Sequence, residues 1–198
     1  MHRSAEFRSA EPRRASSFAV IEAVRCFKGP PTEAERIADD GLSAALAPGL
    51  VARWPDGTEV SYNATYTRNQ GFHGRSWSLM LRPDVALWSP TGPSRGLHLL
   101  DAKFKLVGSL DGDDEAQGRA RRDDLHKMHA YRDAIPEARS AWVMFPGTTS
   151  RHWEPGDAPG LQGVGAVPVV PGEDQAALRT IVGRMLGAEA LAASPEAA

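Results

Sequence analysis

The stretch HLLDAKFK, His98–Lys105, decides the fold. Read with a period of two, Leu100, Ala102, Phe104 and Leu106 point to one face, and Asp101, Lys103 and Lys105 to the other. That is the pattern of a half-buried strand with one charged face. The segment SPTGPSRG, residues 89–96, carries the turn residues that join this strand to an antiparallel neighbour. Residue 88 then pairs with 97, and the same register sets Asp84 opposite Asp101, with Cβ atoms on the order of 5 Å apart. A slip of one residue would turn Asp84 to the other face. Like charges directly opposed are destabilising, so this pair calls for a cation between them. Two carboxylates with Lys103 on the same face are what metal-assisted phosphodiester hydrolysis needs. Oxygen ligands hold a hard divalent ion, and a lysine orients or helps deprotonate the water. The alternative at this point is an exposed polar face that carries Asp-X-Lys by chance.

Around this strand the chain reads as an α/β domain with a mixed sheet. Residues 1–17 are polar and aperiodic, an expected mobile arm, and the tail 188–198 is expected to be disordered. The domain between them spans 18–187. Val20, Ile21, Val24 and Phe27 form a helical stripe after Ser17, a suitable N-cap, and Gly29-Pro30-Pro31 ends it. A second helix is expected from Thr32 to about Leu46. Strands are expected at Gly49–Arg53, Glu59–Thr67, Ser76–Trp88 and Leu97–Val107. The charge-rich stretch Gly108–Arg122 reads as a loop, followed by a helix Asp123–Ile135 that stops at Pro136. A buried strand Ala141–Phe145, a loop Thr148–Gly163, a strand Val164–Val170 and an amphipathic helix Glu173–Leu186 complete the pattern.

Composition narrows the class. The 198 residues are 41% hydrophobic and 24% charged, ordinary for a globular domain. No run of about 18 apolar residues occurs, so no membrane helix is expected. The N-terminus has no apolar segment of the secretory kind. A lone cysteine, Cys26, excludes an internal disulfide and makes the cytoplasm the expected compartment. It falls on the apolar face of the first helix and reads as a core residue. A net charge of −2 argues against an autonomous nucleic-acid binder but not against a local basic channel. The basic clusters Arg13-Arg14, Arg68 and Arg119–Arg122 suit a phosphate backbone or plain solvation equally. His126 and His129 face away from Tyr131, GFHG (71–74) reads as a turn, and no nucleophile elbow is present.

On the wheel of the helix 123–135, Leu125, Met128 and Ile135 form an apolar stripe with Asp124, Lys127 and Tyr131 clustered beside it. Lys127 and Tyr131, four apart, suit a substrate phosphate or base near a metal; a solvated, salt-bridged helix edge explains them as well.

Four segments in order, SWSLMLRPDVALW, LHLLDAKFK, DDLHKMHAYRDAI and AWVMFPG, resemble the PD-(D/E)xK nuclease superfamily over roughly Glu59–Gly147. The likeness is nearest to the branch of the McrC-type nuclease subunit of modification-dependent restriction systems and the related nuclease superfamily 7 domains. It implies a restriction-endonuclease-like core, a central mixed β-sheet flanked by helices. It implies that Asp84 and Asp101 hold a metal ion, Mg²⁺ or Mn²⁺, with the Ala102 carbonyl, and that Lys103 is the catalytic lysine. Lys127 and Tyr131 resemble a helix motif near the DNA, with Arg82 and Lys105 as further nucleic-acid contacts. A glutamate on the first helix completes the site in such nucleases; FAVIEAVRCFKG offers Glu22 without the usual Tyr and Trp. The implied activity is that of a metal-dependent DNA endonuclease, the cleavage subunit of a restriction or phage-defence system. No Gly-X-X-X-X-Gly-Lys-Ser/Thr loop is present, so NTP-driven movement along DNA would need a separate motor subunit. A non-cleaving relative that binds nucleic acid or a partner, and an interaction or inhibitor module of a larger complex, are the competing readings.

Overall fold

A computed structural model describes residues 18–34, 51–103, 114–157, 159–170 and 172–188, without the side chains of 33–34 and 114–122. The expected arm 1–17, the body of the helix expected over 32–46, Lys105, and the tail beyond 188 lie outside them.

The order is α1 (18–28), β1 (Glu33–Ala34), β2 (Val51–Arg53), β3 (Glu59–Tyr62), β4 (Val85–Ser89), β5 (Gly96–Ala102), α2 (Asp114–Ala134), β6 (Ala138–Phe145), β7 (Arg151–Trp153), β8 (Gly163–Pro168) and α3 (Ala176–Met185). The strands form one eight-stranded sheet in the order β1-β2-β3-β4-β5-β6-β8-β7. From β1 to β5 neighbours are antiparallel; β5, β6 and β8 run parallel, and β7 returns antiparallel at the edge. The sheet is therefore mixed and the fold α/β, as the sequence implied. Helix α2 is the crossover that parallel β5 and β6 require.

The register at the 89–96 loop is the one expected: Trp88 pairs with Leu97 and Val85 with Leu100. Helices cover both faces of β5, so every one of its residues is buried. The expectation of a half-buried strand is corrected here, because a strand ahead of a crossover helix loses its solvent face. Leu100 and Ala102 join Val85, Leu87, Trp142 and Met144 in a core closed by Val20 and Val24 of α1 and Leu178 and Val182 of α3. Leu97 and Leu99 face the other way, with Met128, Tyr131 and Ile135 of α2. Asp101 follows this second alternation and so points to the α2 side.

Other elements differ from expectation for local reasons. The chain at 33–34 is a strand beside β2 rather than the start of a helix, because the Thr32 amide and hydroxyl both bond the Arg53 carbonyl. Strand β3 ends at Tyr62, where Asn63 turns to φ 56°, and residues 76–84 are irregular apart from a bridge between Tyr66 and Leu81. Helix α2 begins at Asp114, nine residues ahead of the expected start. A short strand, β7, interrupts the expected loop 148–163. Helix α1 ends as read, with Gly29 at φ 72° and its amide on the Arg25 carbonyl. Cys26 is exposed, not a core residue. No helix among the described residues is long and apolar enough to cross a membrane.

Candidate active site

At the C-terminal end of β5 the β4–β5 ladder stops at Val85 and Leu100. One residue earlier in the chain, the Asp84 backbone carbonyl accepts the Asn63 amide at 2.8 Å. Its side chain takes over where the ladder ends, with Oδ2 accepting the Ala102 amide at 2.7 Å. This bond fixes the carboxylate of Asp84, a buried side chain, beside the last turn of the β5 backbone.

Asp101 is 1% exposed and carries the densest hydrogen bonding in the site. Lys103 Nζ lies 2.7 Å from Oδ2. Lys127 Nζ donates to Oδ1 at 2.9 Å and Oδ2 at 3.0 Å, and the Tyr131 hydroxyl donates to Oδ1 at 3.1 Å. Burial alone would raise the Asp101 carboxyl pKa; the adjacent ammonium groups of Lys103 and Lys127 outweigh it and hold the group below its ordinary value. Lys127 moves down, first through its own desolvation and then through Lys103, against the pull of Asp101. Its ammonium also sits 5.2 Å from the centre of the Tyr131 ring. The Lys103 amide is fixed on the Met144 carbonyl at 2.8 Å, which holds its backbone against β6 one residue past the end of β5.

The structure thus brings Asp101, Lys103, Lys127 and Tyr131 into direct contact, with Asp84 one residue's backbone away. The repulsion expected between the two carboxylates is met by lysines on Asp101 and by an amide on Asp84. Glu22 is not brought to this cluster. It sits on α1, which packs on the opposite face of the sheet, and it pairs with Arg25 at 2.7 Å. It lines a groove of about 280 Å³ with Cys26, Val169 and Arg179. Arg82 is exposed two residues before Asp84, and Lys105 lies outside the described residues. The sequence reading missed Met144, the β6 residue that holds Lys103. Its contact is made across the β5–β6 pairing, to which nothing in the local sequence points.

The donor set suits a hard divalent cation: two carboxylates and the Ala102 carbonyl are all oxygen. Among the described residues no third Asp, Glu, His or Cys joins the pair.

Residues 39–150, more than half of the chain, match the family model of the PD-(D/E)XK nuclease superfamily. The matched stretch holds Asp84, Asp101, Lys103, Lys127 and Tyr131 and leaves out Glu22. No curated protein and no solved structure matches the chain.

Proposed function

Because the chain belongs to the PD-(D/E)XK nuclease superfamily, we propose that it is a metal-dependent DNA endonuclease whose single domain spans 18–187. The observation that carries this reading is the Asp101 carboxylate, buried between Lys103, Lys127 and Tyr131 and next to the anchored Asp84. Asp84, Asp101 and the Ala102 carbonyl would hold Mg²⁺ or Mn²⁺. The bound ion would supply a more acidic water and positive charge against the phosphate.

The remaining work falls to the chain's own groups. Lys103, 16% exposed at its side chain, presents an ammonium where a scissile phosphate can approach Asp101. There it orients the attacking water and offsets the negative charge on the phosphate oxygens. Lys127 adds a second positive donor that is held in place by Asp101 rather than by solvent. Tyr131 keeps the Asp101 carboxylate in one orientation. Arg82 and Lys105 serve as phosphate contacts beside the site. The biological setting we propose is cytoplasmic, as the cleavage subunit of a restriction or phage-defence system with a separate NTP-dependent motor.

The test is cleavage of supercoiled plasmid in Mg²⁺ or Mn²⁺ by the wild-type chain, Asp101→Asn and Lys103→Ala. Wild type is expected to cut, and each variant to lose about a hundredfold or more in rate while keeping its circular dichroism spectrum. Nicking by Asp101→Asn at the wild-type rate would overturn the assignment.

A further inference from the structure

Between β3 and β4 the chain makes a long excursion of which the site described above uses only Asp84 and, as a phosphate contact, Arg82. From Val60 to Pro83 it contains no Asp or Glu and three arginines, in a protein of net charge −2. All three, Arg68, Arg75 and Arg82, are exposed. Neither Arg75 nor Arg82 forms an ion pair among the described residues.

The excursion is held firmly. The Tyr66 and Leu81 backbones exchange bonds of 2.8 and 2.9 Å, and the Ser76 amide reaches the Thr67 carbonyl at 3.0 Å. His73 stacks on Trp88 with ring centres 4.4 Å apart and meets Glu59 at 2.9 Å. Phe72 and Leu81 pack on the α2-side core. At the end of α2, the Trp77 amide bonds the Ala134 carbonyl at 3.0 Å and its indole Nε1 bonds the Asp133 carbonyl at 2.8 Å.

On this braced backbone, large apolar side chains point outward. Trp77 is 58% exposed, Leu79 60% and Met80 76%. A single exposed apolar residue is ordinary; three within four positions make a patch that asks for a partner. The patch runs from the C-terminus of α2 to Leu81, and the next residues are Arg82, Pro83 and Asp84. It is bracketed by Arg75 and Arg82 and leads straight into the candidate active site.

We propose that residues 75–82 bind DNA whose bases are unpaired, next to the phosphate to be cut. This deepens the endonuclease reading and rests on it. The arginines match a phosphate backbone in charge and fork geometry. Trp77, Leu79 and Met80 offer flat or flexible apolar surface to base faces, which are available only where stacking is broken. The segment 60–83 adds no carboxylate of its own, and the nearest acidic residues, Glu59, Asp133 and Glu137, belong to the elements that brace it.

The experiment compares two labelled duplexes of equal length, one fully paired and one with a splayed, unpaired end. Binding is read by fluorescence anisotropy in EDTA, so that no cleavage occurs. The full wild-type chain is expected to bind the splayed duplex about tenfold more tightly, and Leu79→Ser/Met80→Ser to bind the two alike. Both substitutions are at exposed positions, and an unchanged melting temperature checks the fold. Equal binding of both duplexes by wild type would overturn the proposal. So would a preference that survives the double substitution. Conversion of a dimer to a monomer by the double variant, without change in DNA preference, would overturn it too and assign the patch to a second copy of the chain. The plasmid assay on the same proteins separates the two claims: cleavage without the preference removes only this proposal, and the preference without cleavage removes only the nuclease.

Discussion

Tyr131 reaches Asp101 from inside the core. Its ring is 1% exposed among Leu97, Leu99 and Met128, and only its hydroxyl meets the carboxylate, at 3.1 Å. Tyr131→Phe keeps the packing and removes one hydrogen bond, so unfolding free energy should fall by about 1 kcal/mol. If the hydroxyl orients Asp101, cleavage should drop about tenfold in kcat with little change in KM; steady-state rates on plasmid check it, and an unchanged kcat would leave Tyr131 a packing residue. The residues of this cluster were legible because strand register and helix periodicity are short-range rules. Asp84 follows from the hairpin register, and Lys127 and Tyr131 from their spacing of four. Cys26 shows where such reading slips. It stands four residues after Glu22, so the two share a face, and the charge on Glu22 already marked that face as outward.

At the scale of an element, β5 is held at its start by His98, which is fully buried. Nε2 must donate to the Ser94 carbonyl, at 2.8 Å, so Nδ1 accepts the Ser140 hydroxyl, also at 2.8 Å. Trp142 Nε1 donates to the same Ser140 oxygen at 3.0 Å, which directs the hydroxyl proton to the ring. Burial, opposed by the Ser94 carbonyl and aided by Arg139, lowers the His98 pKa to about 4. In the unfolded chain the ring takes a proton near its ordinary value of about 6.5, and in the folded chain only near 4. Between those values the unfolded state binds the extra proton, so stability falls as pH drops through that window, by on the order of 3 kcal/mol in all. Urea titrations at pH 7 and pH 4.5 should show the loss, and a flat profile would contradict a buried neutral His98. Strands with clear alternation, such as β4 and β5, were legible in the sequence, whereas the first half of α2 was not. Its residues 114–122, DEAQGRARR, have no apolar stripe, yet Glu, Ala, Gln and Arg all favour helix once a packed second half extends it. Strand β1 escaped notice because its cause is a partner strand, β2, and not its own pattern.

At the scale of the whole molecule, the described residues form a sheet with two unequal covers. The candidate site lies on the α2 side, built from residues 84–131. The opposite side is closed by α1 and α3, the first and last described elements, whose Val20, Val24, Leu178 and Val182 share one core with Leu100 and Trp142. The stretch 39–150 that matches the family holds the site but lacks α1, β1, β7, β8 and α3. A fragment 39–150 would expose that core along β5 and β6, and it should fail to fold. Circular dichroism melting and limited proteolysis should show no cooperative transition for the fragment and a clear one for the full chain. The meeting of α1 with α3 also sets a time. Synthesis proceeds from the N-terminus at about 5–20 residues per second, and α3 emerges after every other described element. Until then the residues that would cut DNA ride on a platform without a floor. For the endonuclease proposed above, chains that end before α3 are therefore expected to show no nuclease activity, because the core beneath the site stays open until Leu178 and Val182 close it.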